Sequence, residues 1–427
     1  MSEPLAIRPL ARPPDATIAV PGSKSITNRA VLLAGLADGR SELSGALFSD
    51  DTRYMVAALR ALGAAVTTDE AAARLVIDGC GGTWPASAAE LFVGNAGTAM
   101  RFLTAALCLG RGRYRIDGSP RMRERPIQEL VDALAQLGAT LRCETGGGTP
   151  PVVVDADGLP GGDAGLDAER SSQFLSAVLQ VAPYAQRDVT VALRGRLIAE
   201  PYVDMTIAVM AAFGAAVART GPAIFRIASG QRYRARQYAI EPDASSAHYF
   251  WAAAALTGGR VRVPGLRRDS LQGDVRFAAL LEQMGATVTW APDGIEVRGP
   301  AQLGGLDVDM NAISDTAPTL AAIAPFASGP VRIENVAHLR WQESDRLRAV
   351  ATELTRLGVQ VEELEDGLVV HPAAQLRPAD VQTYDDHRIA MAFTLVGLKA
   401  PGVRICDAQC TAKTFPDFFD RLEALRA

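Results

Sequence analysis

The chain is short of the side chains that build metal centres: it has four histidines and five cysteines in 427 residues. The cysteines, Cys80, Cys108, Cys143, Cys406 and Cys410, are scattered and odd in number. Only Cys406 and Cys410 lie close together, and no histidine or second cysteine pair completes a metal-ligand set. Four of the five sit in or beside apolar stretches, so buried free thiols in a reducing compartment are expected. A strong excess of one charge is also lacking. The net charge of −5 argues against a general nucleic-acid binder, so any anion site must come from local clustering. No apolar run approaches the roughly 18 residues of a membrane span. The opening MSEPLAIRPLARPPD has no apolar core of the kind a secretory signal needs, and a cytoplasmic protein is expected. The run Pro21-Gly22-Ser23-Lys24-Ser25 lacks the glycine directly before lysine that a nucleoside-triphosphate loop requires, which excludes a site of that kind.

What is present is ordinary globular composition, 48% hydrophobic and 21% charged, with length for two or three domains. It is organised by a repeat. A helical period, a glycine and an alternating strand recur as MVAALRALGAAVT, LVDALAQLGATLR, MTIAVMAAFGAAVA, RFAALLEQMGATVT and AVATELTRLGVQVE. Their glycines are Gly63, Gly138, Gly214, Gly285 and Gly358, and a glycine there suits a helix stop that needs positive φ. The helix from Asp417 to Leu425 reads as a sixth copy without its strand, and the N-terminal LAIRPLA is expected to supply one.

A second helix type recurs six times: KSITNRAVLLAGLA, NAGTAMRFLTAALCL, SSQFLSAVLQVA, DASSAHYFWAAAAL, SDTAPTLAAIAPFA and DDHRIAMAFTLVGL. Each opens on polar, cap-competent residues and then turns apolar on nearly every side, the mark of a helix buried all round. Three units per domain place the cut near Glu241-Pro242-Asp243, with a linker near Val20-Pro21. The expected domains are 1–20 with 242–427, and 21–241. The chain would then cross between domains twice, which suggests a hinge and a cleft that closes on ligand.

The unusual polar residues gather at the starts of these six helices. Pro21 to Arg29 carries a turn, three hydroxyls, Lys24 and Arg29, and a helix N-terminus favours anions through its free N–H groups and dipole. Further starts bring Asn95, Gly97 and Arg101; Ser171, Ser172 and Gln173; Asp243; Asp315; and Asp386, His387 and Arg388. Arg125, Glu343, Arg346 and Lys413 lie on side pieces. Capping alone could explain any single serine, asparagine or aspartate. Glu343 and Arg346, three residues apart, could be a solvated pair. Cations at helix starts are opposed by the dipole, so Lys24, Arg29, Arg101 and Arg388 together point to a shared anionic ligand.

The motifs PGSKSITNR, GNAGTAMR, RERPI, SSQFLSA, EPD-ASSA, ESDRL, DDHRIAMAF and TAKTFPDFF, in this order from about Leu5 to Leu425, resemble those of the 5-enolpyruvylshikimate-3-phosphate synthase family. The resemblance implies an α/β fold of two domains in an inverted, barrel-like arrangement with six βαβαββ repeats, three per domain. It implies transfer of the enolpyruvyl group of phosphoenolpyruvate to the 5-hydroxyl of shikimate 3-phosphate, in a step towards chorismate and the aromatic amino acids. No cofactor or metal, no nucleic acid and no membrane are involved, and a monomer is expected. Carried over by motif, Asp315 would be the base for the 5-hydroxyl, Glu343 a proton donor or relay, and Lys24 would bridge both substrates. Shikimate 3-phosphate would be held by Lys24, Ser25, Arg29, Ser171, Ser172, Gln173, Tyr202, Asp315, His338 and Gln342. Phosphoenolpyruvate would be held by Lys24, Asn95, Gly97, Arg125, Gln173, Arg346, His387, Arg388 and Lys413. Asp243 would be a structural cap.

Three departures from the family's pattern stand out, at four positions. Ala199 and Glu200 stand where a Ser and a Lys are common, Gln342 where a Lys precedes the Glu, and His338 where an Asn is common. A lost charge-assisted hydrogen bond is worth about 1.5–3 kcal/mol, enough to raise a Michaelis constant. Compensation by His338 or Arg196 is the expectation. Phe102 follows Arg101 where a Pro is common, which bears on sensitivity to glyphosate. Two alternatives stay in view: an enolpyruvyl transferase acting on UDP-N-acetylglucosamine, which would need a catalytic cysteine near Gly146 to Gly148, and a non-enzymatic anion-binding relative.

Overall fold

Helix α1, Lys24–Leu36, shows how the local rule works. Ser23 caps it, its hydroxyl accepting from the Ile26 N–H, and every residue from Ile26 to Leu36 is buried. A helix wrapped on all sides needs no amphipathic stripe, which is why its sequence shows none. The helix that follows, α2 at Asp50–Ala61, is of the other kind, with apolar residues on one face. The two kinds alternate along the chain in a computed structural model that describes residues 3–426. The buried kind continues as α3 (Gly97–Leu107) and α5 (Ser172–Val181), with α4 (Gln128–Gln136) and α6 (Pro201–Ala212) between and after them. It then returns as α7 (Ala244–Thr257), α9 (Ala317–Ile323) and α11 (His387–Gly397), alternating with α8 (Phe277–Gln283), α10 (Arg346–Arg356) and α12 (Phe418–Glu423).

Two compact units result: Gly22–Ile240, and Met1–Pro21 with Glu241–Ala427. In the first, α3 packs against both α1 and α5; in the second, α7, α9 and α11 all touch one another. Helices α3, α5, α9 and α11 each lie in the chain between two parallel strands. Ala88–Phe92 and Arg111–Asp117 flank α3, for example, and run parallel in register Ala88 to Arg113. The second strand then pairs antiparallel with Val152–Asp157, which pairs with Leu141–Cys143. The same order is built around α5 and α9.

The remaining sheets are completed by distant chain. Gln237–Ala239 opens the sheet around α1 by pairing parallel with Asp38–Ser44. The N-terminal segment serves two sheets rather than one. Leu5–Ala6 pairs antiparallel with Val403–Ile405, in the copy that has no strand after its amphipathic helix, and Asp15–Thr17 runs parallel to Arg260–Pro264. Sequence repeats find the missing strand of the sixth copy but not that of the fourth, because a three-residue strand carries no period.

The amphipathic helices stop where the repeated glycines stand. Gly63 ends α2 at φ +93°, and a Cβ there would lie 2.8 Å from the Cβ of Pro85. The fifth buried helix differs from the single helix expected over residues 314–327. Pro318 and Pro325 break it into a 3₁₀ turn (Asn311–Thr316), α9 and a second 3₁₀ turn (Ala324–Phe326), with a non-helical kink at Ile313. Asp315 therefore sits on the turn ahead of α9, not on its first helical turn.

Candidate active site

In the unit formed by the two chain ends, one arginine gathers the expected residues. Arg346 is the first residue of α10, and its side chain is 1% exposed. Its Nε donates to Asp386 Oδ2 at 2.9 Å, Nη1 to Asp315 Oδ1 at 3.0 Å and Nη2 to Glu343 Oε2 at 2.7 Å. Burial alone would pull its pKa down, but Asp386, Glu343 and Asp315 outweigh burial and leave it above the ordinary value. The helix dipole opposes Arg346, and three carboxylates more than offset it. Glu343 and Arg346 are not a solvated pair.

Two further cations join. Arg388, near the start of α11, donates from Nη2 to Asp315 Oδ2 at 2.5 Å. Lys413 Nζ lies 3.7 Å from Glu343 Oε1. Asp386 caps α11 and also accepts from the Ser344 hydroxyl at 2.9 Å, so its oxygens are spent on structure. His387 is buried beside it, with Nδ1 3.6 Å from Asp386 Oδ1. Asp315 keeps 23% side-chain exposure and is the most accessible carboxylate of the three. Asp243 caps α7 by accepting from the Ser245 N–H, as a structural residue would.

His338 lies beside this group, sharing a 2.8 Å hydrogen bond between Nε2 and the Ser314 hydroxyl. Burial holds its imidazole pKa down at about 4. A neutral ring cannot replace a lysine charge, so what His338 offers in compensation is a hydrogen bond. The ring also has a pH signature. Its unfolded pKa is about 6.5, so between about pH 6.5 and 4 the unfolded chain holds a proton that the folded chain does not. Stability must fall as pH drops through that window. His338→Asn is expected to lose less stability than the parent between pH 6.5 and 4.5, by on the order of 2 kcal/mol in urea titrations. Equal losses would exclude this role. Sequence reasoning missed Asp274, a buried carboxyl that accepts from the Ser245 hydroxyl. Burial first, then the charge of Asp315, pushes it up to about 7. Nothing in QGD marks it in advance, because its environment comes from packing against other segments.

Gln342 directly precedes Glu343 in this unit, and the other unit holds the remaining expected residues. Lys24 Nζ lies 3.5 Å from Asp51 Oδ2. Arg29 is enclosed: Nε donates to Thr206 Oγ1 at 2.7 Å, Nη1 to the Ser25 carbonyl at 3.0 Å and Nη2 to the Tyr202 carbonyl at 3.0 Å. Its guanidinium also lies 5.1 Å over the Phe102 ring, and burial lowers its pKa to about 10. Arg101 donates to the carbonyls of Gly97 and Pro126, so its place near a helix start has a structural reason. Arg125 Nη1 donates to both the carbonyl and the side-chain oxygen of Asn95, each at 3.1 Å. Gly97 keeps this corner open, since a Cβ there would lie 2.6 Å from Arg125 Nη2. Ser171 caps α5, accepting from the Gln173 N–H, and Ser172 is buried next to it. Ala199 takes φ +47°, Glu200 pairs with Arg219 at 2.6 Å, and Arg196 is exposed.

The thiols fit the buried reading in part. Cys108, Cys143 and Cys410 are buried, Cys80 and Cys406 half-buried, and all five are free. Burial raises Cys143 to about 11 and Cys108 to about 12. No helix among the described residues is long and apolar enough to cross a membrane.

Comparison with known proteins gives the family. The family described as EPSP synthase (3-phosphoshikimate 1-carboxyvinyltransferase) matches residues 11–422. A 3-phosphoshikimate 1-carboxyvinyltransferase from Nostoc sp. is 52% identical over 417 residues, 98% of each chain. One from Aeromonas salmonicida is 49% identical over 409 residues, 95% of each chain. A solved EPSP synthase from Acinetobacter baumannii superposes with a TM-score of 0.81 at 25% identity, covering 99% of this chain and 98% of that one.

Proposed function

The chain belongs to the EPSP synthase family, and we propose that it transfers the enolpyruvyl group of phosphoenolpyruvate to the 5-hydroxyl of shikimate 3-phosphate. The products are 5-enolpyruvylshikimate 3-phosphate and phosphate. Addition comes first: C3 of phosphoenolpyruvate gains a proton while the 5-oxygen bonds to C2 and gives up its own. Elimination follows: C3 loses a proton, the bond from C2 to the phosphate oxygen breaks, and phosphate leaves. Such a path needs a base, an acid and a clamp for several anionic groups.

The observation that most supports this reading is the single buried guanidinium of Arg346 between Asp315 at 3.0 Å and Glu343 at 2.7 Å. A planar fork fixes two carboxylates at a set separation, with Arg388 on one and Lys413 beside the other. In this reading Asp315 takes the 5-hydroxyl proton, and Glu343 serves C3. Lys24 meets both substrates. Ser25, Arg29, Ser171, Ser172, Gln173, Tyr202, His338 and Gln342 serve shikimate 3-phosphate. Asn95, Gly97, Arg125, Arg346, His387, Arg388 and Lys413 serve phosphoenolpyruvate. The protein works as a cytoplasmic monomer of two domains, 1–20 with 242–427 and 21–241, and needs no cofactor. Phosphate release from the two substrates tests the reading. None at millimolar concentrations would overturn it.

The UDP-N-acetylglucosamine alternative requires a reactive cysteine near Gly146 to Gly148. Cys143 is buried, and a thiol raised to about 11 is a poor acid and a poor nucleophile at neutral pH. A thiol-alkylating epoxide is therefore expected to leave turnover unchanged over an hour-scale incubation. Progressive inactivation that substrate slows would favour the alternative.

A further inference from the structure

Two consecutive residues, Tyr384 and Asp385, take left-handed backbone at φ +57° and +53°. Neither is glycine, and a tyrosine there sets its Cβ against the neighbouring backbone. Such a conformation persists only where the surroundings over-determine it. The surroundings here centre on one buried carboxylate, Glu353, seven residues after Arg346 on α10. Its Oε1 accepts from the Tyr384 hydroxyl at 2.7 Å, and its Oε2 accepts from the Gln382 N–H at 3.1 Å. Arg356 donates to both oxygens, at 2.9 and 3.3 Å, and balances the charge.

The turn so held leads directly into Asp386, His387 and Arg388. The Asp386 N–H closes it by donating to the Thr383 carbonyl at 2.9 Å. Residues seven apart share a helix face, so α10 grips this turn twice. Arg346 holds Asp386 on one side, and Glu353 holds Gln382 and Tyr384 on the other. The candidate chemistry uses neither Glu353 nor Tyr384.

We infer that Glu353, acting through the Tyr384 hydroxyl, is a positioning residue that holds the turn presenting His387 and Arg388 to phosphoenolpyruvate. The part concerning phosphoenolpyruvate rests on the function proposed above. Tyr384→Phe in the full chain is the test, because it removes one hydroxyl from a ring that is 43% exposed and leaves the fold intact. Amide hydrogen exchange and steady-state kinetics are read together. The amides of residues 383–388 are expected to exchange about tenfold faster in the variant. The KM for phosphoenolpyruvate should rise roughly three- to tenfold while that for shikimate 3-phosphate stays within about twofold. Unchanged exchange would overturn the strut whatever the kinetics. Faster exchange with both KM values unchanged would overturn the positioning role. Faster exchange in a protein whose parent releases no phosphate would sink the proposed function and still support Glu353 as the strut.

Discussion

Asp315→Ala should bind shikimate 3-phosphate with near-normal affinity and lose turnover by roughly 10²–10⁴-fold, the usual range for an acid–base group. The structure explains why the effect should fall on rate. Asp315 sits on the turn before α9 and is the least buried of the three carboxylates around Arg346. Its removal leaves Arg346 still bonded to Asp386 and Glu343, so the hub survives. Arg388 loses one partner but keeps its place on α11, whose cap is Asp386. The missing group is then chiefly a proton acceptor, its ties to Arg346 and Arg388 being the more exposed ones of the hub. Single-turnover phosphate release with shikimate 3-phosphate held saturating would measure it, and a loss under about tenfold would remove Asp315 from the role of base.

Arg346→Met is expected to be the most damaging substitution for stability. It strands Asp386 at 0%, Glu343 at 7% and Asp315 at 23% exposure without the cation that joins them. Breaking a buried pair by removing one partner costs about 3–5 kcal/mol, because the charge left behind is not compensated. For a unit of this size that should lower the melting midpoint by on the order of 10 °C. Trp251, Trp290 and Trp341 lie in the same unit and only Trp84 in the other, so tryptophan fluorescence follows the right transition. A drop under about 2 °C would mean that the carboxylates find other partners or take up protons cheaply.

Much of the architecture was legible because it rests on local periods. Fully apolar helices, amphipathic helices and glycine stops are each written within about fifteen residues. Gly63 and Gly358 take the positive φ that their place in the pattern asks for. What the pattern could not supply was the short strand Asp15–Thr17, or the breaks that Pro318 and Pro325 impose around α9. Of the site, the residue types were readable and the pairings were not. Arg101 looked like a ligand for an outside anion and is spent on two carbonyls. His338 was expected to compensate for missing contacts, and its ring is neutral beside Ser314. Neither pairing could be read in advance, since a side chain's charge and purpose depend on how deeply it is buried and beside what.

The sequence by itself determined the six-fold repeat, the two kinds of helix, the family and the cast of polar residues at helix starts. These follow from spacing along the chain and from motifs that keep their order. Only the tertiary structure decided that Arg346 joins Asp315, Glu343 and Asp386, that Glu353 reaches across to Tyr384, and that Asp274 lies near Asp315. Arg346 lies 31 positions from Asp315 and 40 from Asp386, and Glu353 lies 31 from Tyr384. Their energies come from desolvation and charge at short range, and neither quantity exists until the chain has folded.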